Sequence, residues 1–189
     1  MESRQRVLEV ALGVIALSAA THVAALNFPL ARAAERQVGV TTIYDPSYVQ
    51  LKYPNGDVPL QRGVCADVII RAMRDVGIDL QREVHEDMRA HFAAYPKMWG
   101  LSSPDANIDH RRVPNLMKFF ERRGKEVRGS YEAGDIVAWR LPGGLYHIGI
   151  VAADGRLMIH NIGRGAQKED VLNAYEIIGH YRWSTGFSR

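Results

Sequence analysis

The dipeptide Asp154-Gly155 constrains the fold more than any other feature of this chain, because it separates two apolar, β-forming runs by only two residues. Such a pair predicts a type I′ hairpin, in which both central residues must tolerate a positive φ. The turn sets the register of the two strands, so that Gly149 is expected to face His160. His147, two positions before Gly149, then lies on the same sheet face as His160.

The two histidines are diagonal neighbours in this register, roughly 7–8 Å apart at the backbone, which allows their rings to form a hydrogen bond. Gly149 lies between them and has no side chain, which leaves room for another element to approach. We expect that element to be the helix that begins at Cys65. The opposite face collects apolar side chains, namely Ile148, Ile150, Leu157 and Ile159.

The rest of the chain predicts helices first and strands afterwards. Composition and apolar spacing predict helices at Ala25–Gln37, Cys65–Val76, Gln81–Ala94 and Val113–Arg123. Runs of β-forming residues predict an antiparallel meander at Ile136–Trp139, Tyr146–Ala153, Arg156–Asn161 and Glu176–Trp183. Helices followed by strands indicate an α+β fold. The proline- and glycine-rich stretch from Tyr44 to Gly63 predicts an ordered loop.

The first 25 residues have the pattern of an export signal, with Arg4 and Arg6, an apolar run over residues 10–17 and small residues up to Ala20. A retained anchor is the alternative, but the 11 residues from Val10 to Ala20 fall short of the roughly 20 that span a bilayer. We therefore expect residues 1–25 to be removed and residues 26–189 to form one domain without a stable membrane span. The mature protein is expected to be periplasmic or secreted.

The composition is that of a globular domain, since 47% of the 189 residues are hydrophobic and 24% are charged. A net charge of +3 is compatible with binding an anionic polymer such as cell wall. This excess of positive charge is too small and too scattered to predict binding to nucleic acid.

Cys65 is the single cysteine of the chain, so it is an inert buried thiol, an intermolecular bridge or a reactive group. Its expected place in the first turn of a helix favours the reactive group, because backbone N–H groups and the helix dipole stabilise a thiolate there. Asp67 is expected to help the same helix begin. Cys65 would then attack a carbonyl carbon, His147 would take its proton, and His160 would orient His147. The Cys65 N–H and one donor from the preceding loop would bind the oxyanion.

The order of motifs supports this chemistry. A cysteine that opens a helix is followed by Gly134–Trp139, His147–Val151, Asp154–Arg156 and Ile159-His160, and this order resembles the NlpC-type peptidases. The resemblance implies a papain-like fold, a Cys-His-His site without a cofactor, and cleavage of amides in peptidoglycan stem peptides. Those enzymes usually have Asp before and Ser after the cysteine, whereas this chain has Val64 and Ala66.

A second resemblance covers nearly all of the chain after the predicted signal. The segments Val38–Thr42, Tyr44–Pro46, Arg62–Cys65, Asn107–Arg111, Gly134–Val137 and His160–Gly163 are similar to the uncharacterised YijF-like family of bacterial envelope proteins. That family implies the same fold and site, and it implies no particular substrate.

Four other residues have weaker assignments. Tyr44 and Asp57 in the loop are candidate substrate contacts, and Arg111 is a third because its guanidinium could bind an acidic group. Asp109 is expected to be the N-cap of the helix that begins near Val113.

Three alternatives remain open at this point. A zinc site made from Cys65, His147 and His160 is one, although the ligand spacings typical of zinc proteins are missing and no metal is expected. The second is a catalytically silent cell-wall binding module. The third is an acyltransferase, which would use the same nucleophile and base.

Overall fold

The computed structural model describes residues 28–183. Its helices are α1, which includes residues 28–35, and α2 to α4 at Cys65–Asp75, Leu80–His91 and Val113–Arg122, with 3₁₀ turns at Phe92–Ala94 and Asp109–Arg111. Strands β1 to β7 lie at Ile43–Tyr44, Arg62–Gly63, Ile136–Arg140, Tyr146–Val151, Met158–Asn161, Ala166–Glu169 and Glu176–Tyr181. The helices precede the main sheet, so the predicted α+β class is confirmed.

The main sheet has five strands in the order β6-β5-β4-β3-β7, and each neighbouring pair is antiparallel. Strands β3 to β6 form the meander, and β7 returns to pair with the free edge of β3. Two short strands, β1 and β2, form a separate parallel pair in the loop before α2. Strands β1, β2 and β6 were not predicted from the sequence.

The sheet buries apolar side chains on both faces. The face that packs on the helices carries Ile136, Ala138, Ile148, Ile150 and Ile159, which belong to the main core together with residues of α2, α3 and α4. The opposite face carries a smaller cluster made by Val137, Trp139, Val151 and Met158, covered by Tyr131, Val171, Leu172, Tyr175 and Ile177. His147 lies on this second face, because side chains alternate along a strand.

Helix α2 positions Cys65 as its first residue, as predicted. The spacing of Val68, Ile69, Ala72 and Met73 gives the helix a buried face against the sheet. Asp67 accepts a hydrogen bond from the Val64 N–H at 2.7 Å and so stabilises the first turn. The helix stops before Gly77, whose φ of +85° supplies the left-handed residue that commonly ends a helix.

The hairpin between β4 and β5 has the predicted register but a different turn. Gly149 pairs with His160 as expected. Only Gly155 has a positive φ, at +71°, whereas Asp154 does not. The Asp154 carboxylate accepts the N–H groups of Arg156 and Leu157, and these bonds hold it in an ordinary conformation. The type I′ assignment and the two-residue loop were therefore wrong, because the ladder already ends at Val151 and Met158, but the register is the predicted one.

Asp109 is not the N-cap of α4, in contrast to the prediction. The N-cap position is Arg112, which makes no capping bond through its side chain. Asp109 lies three residues earlier and opens a 3₁₀ turn, where its carboxylate accepts the N–H of Asp105 and pairs with Arg112. Pro114 lies in the first turn of α4, as expected.

The predicted export signal lies outside the residues that the structure describes. Within residues 28–183, no helix combines the length and the apolar character needed to cross a membrane.

Candidate active site

Cys65 lies where the start of α2 meets an unpaired stretch of β4. The pairing of β4 with β5 stops before Ile148 and Asn161. The Asn161 side chain donates instead to the carbonyl of Gly63 at 2.9 Å, and the Ile148 N–H interacts with the Cys65 sulfur. The start of the helix therefore occupies the edge of β4 immediately beside His147.

Burial raises the pKa of the Cys65 thiol to about 12. The N–H groups of Ile148, Ala66 and Cys65 itself oppose this effect, while the Asp67 carboxylate adds to it. Cys65 is only 6% exposed, so the loss of hydration outweighs the N–H groups at the helix start. The prediction of a thiolate stabilised by the helix was therefore wrong in its net direction, and the resting group is a thiol.

This raised pKa predicts how Cys65 reacts with iodoacetamide. We expect the rate constant at pH 6 to be lower than that of the same cysteine in urea-unfolded protein, and to rise with pH up to pH 9 without a plateau. The measurement is unambiguous because the chain has one cysteine. A plateau between pH 5 and pH 8 would reveal a stabilised thiolate and contradict this assignment.

His147 and His160 form the hydrogen bond that the predicted register required. His147 Nε2 lies 2.8 Å from His160 Nδ1, and the two rings are inclined by 74°. The other nitrogen of His160, Nε2, lies 3.0 Å from Oε2 of Glu169 on β6. Both histidines are buried. The other three ring nitrogens of the pair are engaged in these contacts, so His147 Nδ1 is the one that can interact with another group.

Burial also keeps the two histidines neutral. Burial, together with a smaller effect of the neighbouring His160, lowers the pKa of His147 to about 3. The pKa of His160 is likewise lowered by burial, although Glu169 opposes that shift. A neutral imidazole can accept a proton, so His147 has the protonation state that a general base needs.

Trp139 packs against both histidine rings. Its ring stacks on His147 at a centroid distance of 5.6 Å and lies 6.4 Å from the ring of His160. A Cβ added to Gly149 would meet Trp139 and His160 at 3.1 Å each. The room at Gly149 is thus used by the indole and by His160, and the expectation that the Cys65 helix fills it was wrong.

A cleft of about 330 Å³ opens beside Cys65. Its walls are mostly apolar and aromatic and include two arginines; they are formed by Tyr44, Pro46, Val64, Met98, Trp99, Ile108, Arg111, Arg112, Val113, Pro114, Gly144, Leu145 and Tyr146. Cys65 lines the cleft, whereas His147 and His160 do not.

The structure brings two of the three candidate substrate contacts to this cleft. Tyr44 lies in its wall, and the pKa of its phenol is raised by burial and then by Cys65 and Asp67. Arg111 also lines it. Asp57 does not, because it lies on another surface and binds Arg71 and Arg74.

Arg111 has bonds within the protein as well as its place at the cleft. Its guanidinium forms a two-point ion pair with Asp67, at 3.0 and 2.9 Å, in which the side chains are 2% and 4% exposed. It also donates to the carbonyls of Ser47 and Asp45. Arg111 thereby ties the start of α2 to the loop that carries Tyr44, and a substrate carboxylate would have to compete with Asp67.

Comparison with known proteins identifies the family. Residues 31–183 match the family described as a domain of unknown function, DUF1287. The chain belongs to the DUF1287 family. It is 56% identical over 167 residues to the uncharacterized protein YijF of Escherichia coli (strain K12), an alignment that covers 83% of this chain and 82% of that protein. No solved structure was found to match the chain.

Two residues of this candidate site, Glu169 and Trp139, were not predicted from the sequence. Glu169 was missed because β6, with the sequence Ala-Gln-Lys-Glu, has no apolar alternation to mark it as a strand. Trp139 was treated only as part of a strand, although its position opposite His147 follows from the pairing of β3 with β4. Within residues 28–183, no group of three or more His, Cys, Asp or Glu side chains is arranged to hold a metal ion.

Proposed function

We propose that this DUF1287 protein is a cysteine hydrolase with a papain-like, NlpC-type fold. The observation that carries the proposal is the position of the Cys65 sulfur, at a helix start and beside the Ile148 N–H, one residue from a buried, neutral His147. The hydrogen-bonded row from His147 to Glu169 begins on β4 at the residue before Ile148, whose N–H interacts with the sulfur.

The order of the elements supports the finer fold assignment. The cysteine opens a helix, that helix packs on an antiparallel sheet, and the base and its partner lie on adjacent strands after it. This is the order Cys, His and polar third residue of the NlpC-type peptidases. Val64 and Ala66 remain departures from their usual sequence around the nucleophile.

In the proposed reaction, His147 acts through Nδ1, since Nε2 is engaged by His160. Nδ1 takes the Cys65 proton as the sulfur attacks the substrate carbonyl carbon, and the Cys65 N–H donates to the oxyanion. The C–N bond then breaks, the proton passes from His147 to the leaving amine, and a thioester remains. Water gives a proton to His147 and attacks the thioester, which releases the acid and returns the proton to sulfur.

We propose an amide of a peptidoglycan stem peptide, or a similar envelope amide, as the substrate. A periplasmic or secreted location follows from the export signal predicted for residues 1–25. The cleft beside Cys65 supports an extended peptide as the substrate. Its aromatic residues, including Tyr44 and Trp99, would pack against the side chains of that peptide. No nucleic acid, cofactor or metal has a part in this proposal.

The test is digestion of purified wall fragments, with the products identified by mass spectrometry. We expect the wild-type protein to release fragments, and Cys65→Ala and His147→Ala to lower the rate by at least about 100-fold. His91→Ala is the matched control, because it removes an exposed histidine from α3. Equal product profiles for wild type and Cys65→Ala would overturn the proposal.

The same experiment separates two other functions. Exposed Tyr44 and Trp99 at the cleft would also suit a binding module, and such a module would retain wall fragments without cleaving them, even as Cys65→Ala. An acyltransferase would give products extended by an added amine, because the amine, in place of water, would displace the thioester.

A further inference from the structure

We propose that Glu169 is a positioning residue, which fixes the tautomer of His147 so that Nδ1, the nitrogen available to Cys65, carries the lone pair. This role rests on the proposed function, since it concerns the base of that reaction. The observation that carries it is a hydrogen-bonded chain, from His147 through His160 to Glu169, with heavy-atom distances of 2.8 and 3.0 Å.

The chain crosses three neighbouring strands by the same diagonal step. His147 on β4 lies two residues from Gly149, the residue that pairs with His160 on β5. Glu169 on β6 lies two residues from Gln167, which pairs with His160 from the other side. Diagonal neighbours on one face of a sheet are close enough for long polar side chains to meet. The three residues therefore form one row that the sheet itself holds in line.

Each hydrogen bond in this row fixes the next one. A carboxylate can only accept, so His160 must carry its proton on Nε2 to donate to Glu169. A neutral His160 then has a lone pair on Nδ1, which must accept from His147 Nε2–H. A neutral His147 that is protonated on Nε2 has its lone pair on Nδ1, and this is the atom that the proposed reaction needs.

The other surroundings of Glu169 are compatible with this role. Its second oxygen, Oε1, accepts from Arg164 at 2.8 Å, which leaves Oε2 for His160. Glu169 is 30% exposed, whereas the His160 side chain is only 1% exposed. The carboxylate thus lies at the rim of the protein and the two rings extend inward from it. Trp139 stacks on His147 and so restricts the rotation of its ring.

The test reads the tautomers directly, by nitrogen-15 NMR of protein labelled at histidine. In wild type, we expect His147 and His160 to show the neutral form protonated on Nε2. Glu169→Gln should keep this pattern, because an amide oxygen still accepts a hydrogen bond. Glu169→Leu has similar volume but no acceptor, and the signals of both rings should move towards a mixture of tautomers. Assignments come from His147→Gln and His160→Gln.

A second measurement connects the tautomers to reactivity. Glu169→Leu should lower the rate of wall-fragment hydrolysis about 10- to 100-fold, through kcat and not KM, and Glu169→Gln should recover most of the loss. Asp170→Leu is the matched control, because it removes an exposed acid one residue away that pairs with Arg156. Thermal unfolding of each variant checks that the fold is kept.

The two proposals can fail separately. Unchanged tautomers in folded Glu169→Leu would overturn the role of Glu169, even if Cys65→Ala abolished hydrolysis. If Glu169→Leu alters the tautomers but the wild-type protein cleaves no wall fragment, the positioning role is supported and the proposed hydrolase activity is overturned. If Glu169→Leu unfolds, a wild-type tautomer pattern that differs from the expected one at either histidine is enough to overturn the inference.

Discussion

Replacing Arg111 by methionine is expected to lower the free energy of unfolding by about 3–5 kcal/mol, because it leaves the buried Asp67 carboxylate without its cation. The Asp67 and Arg111 side chains are 4% and 2% exposed, so water cannot take the place of the missing partner. Asp67 would keep one bond, from the Val64 N–H. The loop carbonyls of Ser47 and Asp45 would lose their donor as well.

Urea unfolding of four proteins tests this expectation: wild type, Arg111→Met, Asp67→Asn and the double variant. The double variant should be less destabilised than the sum of the single variants, because it leaves neither charge buried alone. Arg36→Met is the matched control, since Arg36 pairs with Asp75 at the surface, where the side chains are 62% and 48% exposed. That control should cost less than about 1 kcal/mol. An equally small effect for Arg111→Met would contradict the structural role.

Arg111 also illustrates why charge alone did not define the site from sequence. A basic residue in an irregular segment predicts a ligand contact as readily as it predicts an internal ion pair. The deciding fact is that Asp67, in the first turn of α2, lies opposite Arg111 in the fold. The two residues are 44 positions apart in sequence, and no local pattern links them.

The strand register was predictable because one short turn determines it. Asp154-Gly155 placed His147 and His160 on one face, although the turn itself has a different conformation. The register is kept because both strands stop two residues short of the predicted turn, at Val151 and Met158, whereas the turn conformation depends on the hydrogen bonds of Asp154. The histidine pair could therefore be found from sequence without a correct turn.

The third member of the row could not be found in this way. Strand β6 buries little apolar surface, so periodicity gave no sign of it, and Glu169 had no predicted place.

The raised pKa of Cys65 was not predicted either, because it depends on tertiary packing. A helix start is visible in sequence, but the depth of burial that raises the thiol pKa depends on how tightly α2 packs against β4.

Acidification is expected to destabilise the protein well above the range in which carboxylates titrate. Burial lowers the pKa of both His147 and His110 to about 3. In the unfolded chain each histidine would titrate near pH 6.5, so the unfolded state binds more protons as the pH falls below that value. Stability is therefore retained above about pH 6.5 and lost as the pH falls towards 3.

The expected loss between pH 6.5 and pH 4.5 is about 2–3 kcal/mol for each of the two histidines. Protonation of carboxylates changes the free energy of unfolding in a separate, lower pH range. The pKa of Asp154 is lowered to about 2, mainly by its bonds to Lys168 and to the backbone against an opposing effect of burial, so its contribution is lost only below about pH 4. A decline above pH 4.5 can thus be assigned to buried histidines.

His110→Asn tests the assignment, because His110 is buried, lies outside the proposed reaction, and has no hydrogen-bond partner for Nδ1 among residues 28–183. Urea unfolding at half-unit steps from pH 7 to pH 4.5 should give a slope that is smaller by about 1.4 kcal/mol per pH unit, the value of one proton. His91→Asn, which removes an exposed histidine, should keep the wild-type slope. A wild-type free energy of unfolding that is flat over this range would mean that the histidines are solvated in the native protein. It would also remove the neutral, buried His147 on which the proposed base depends.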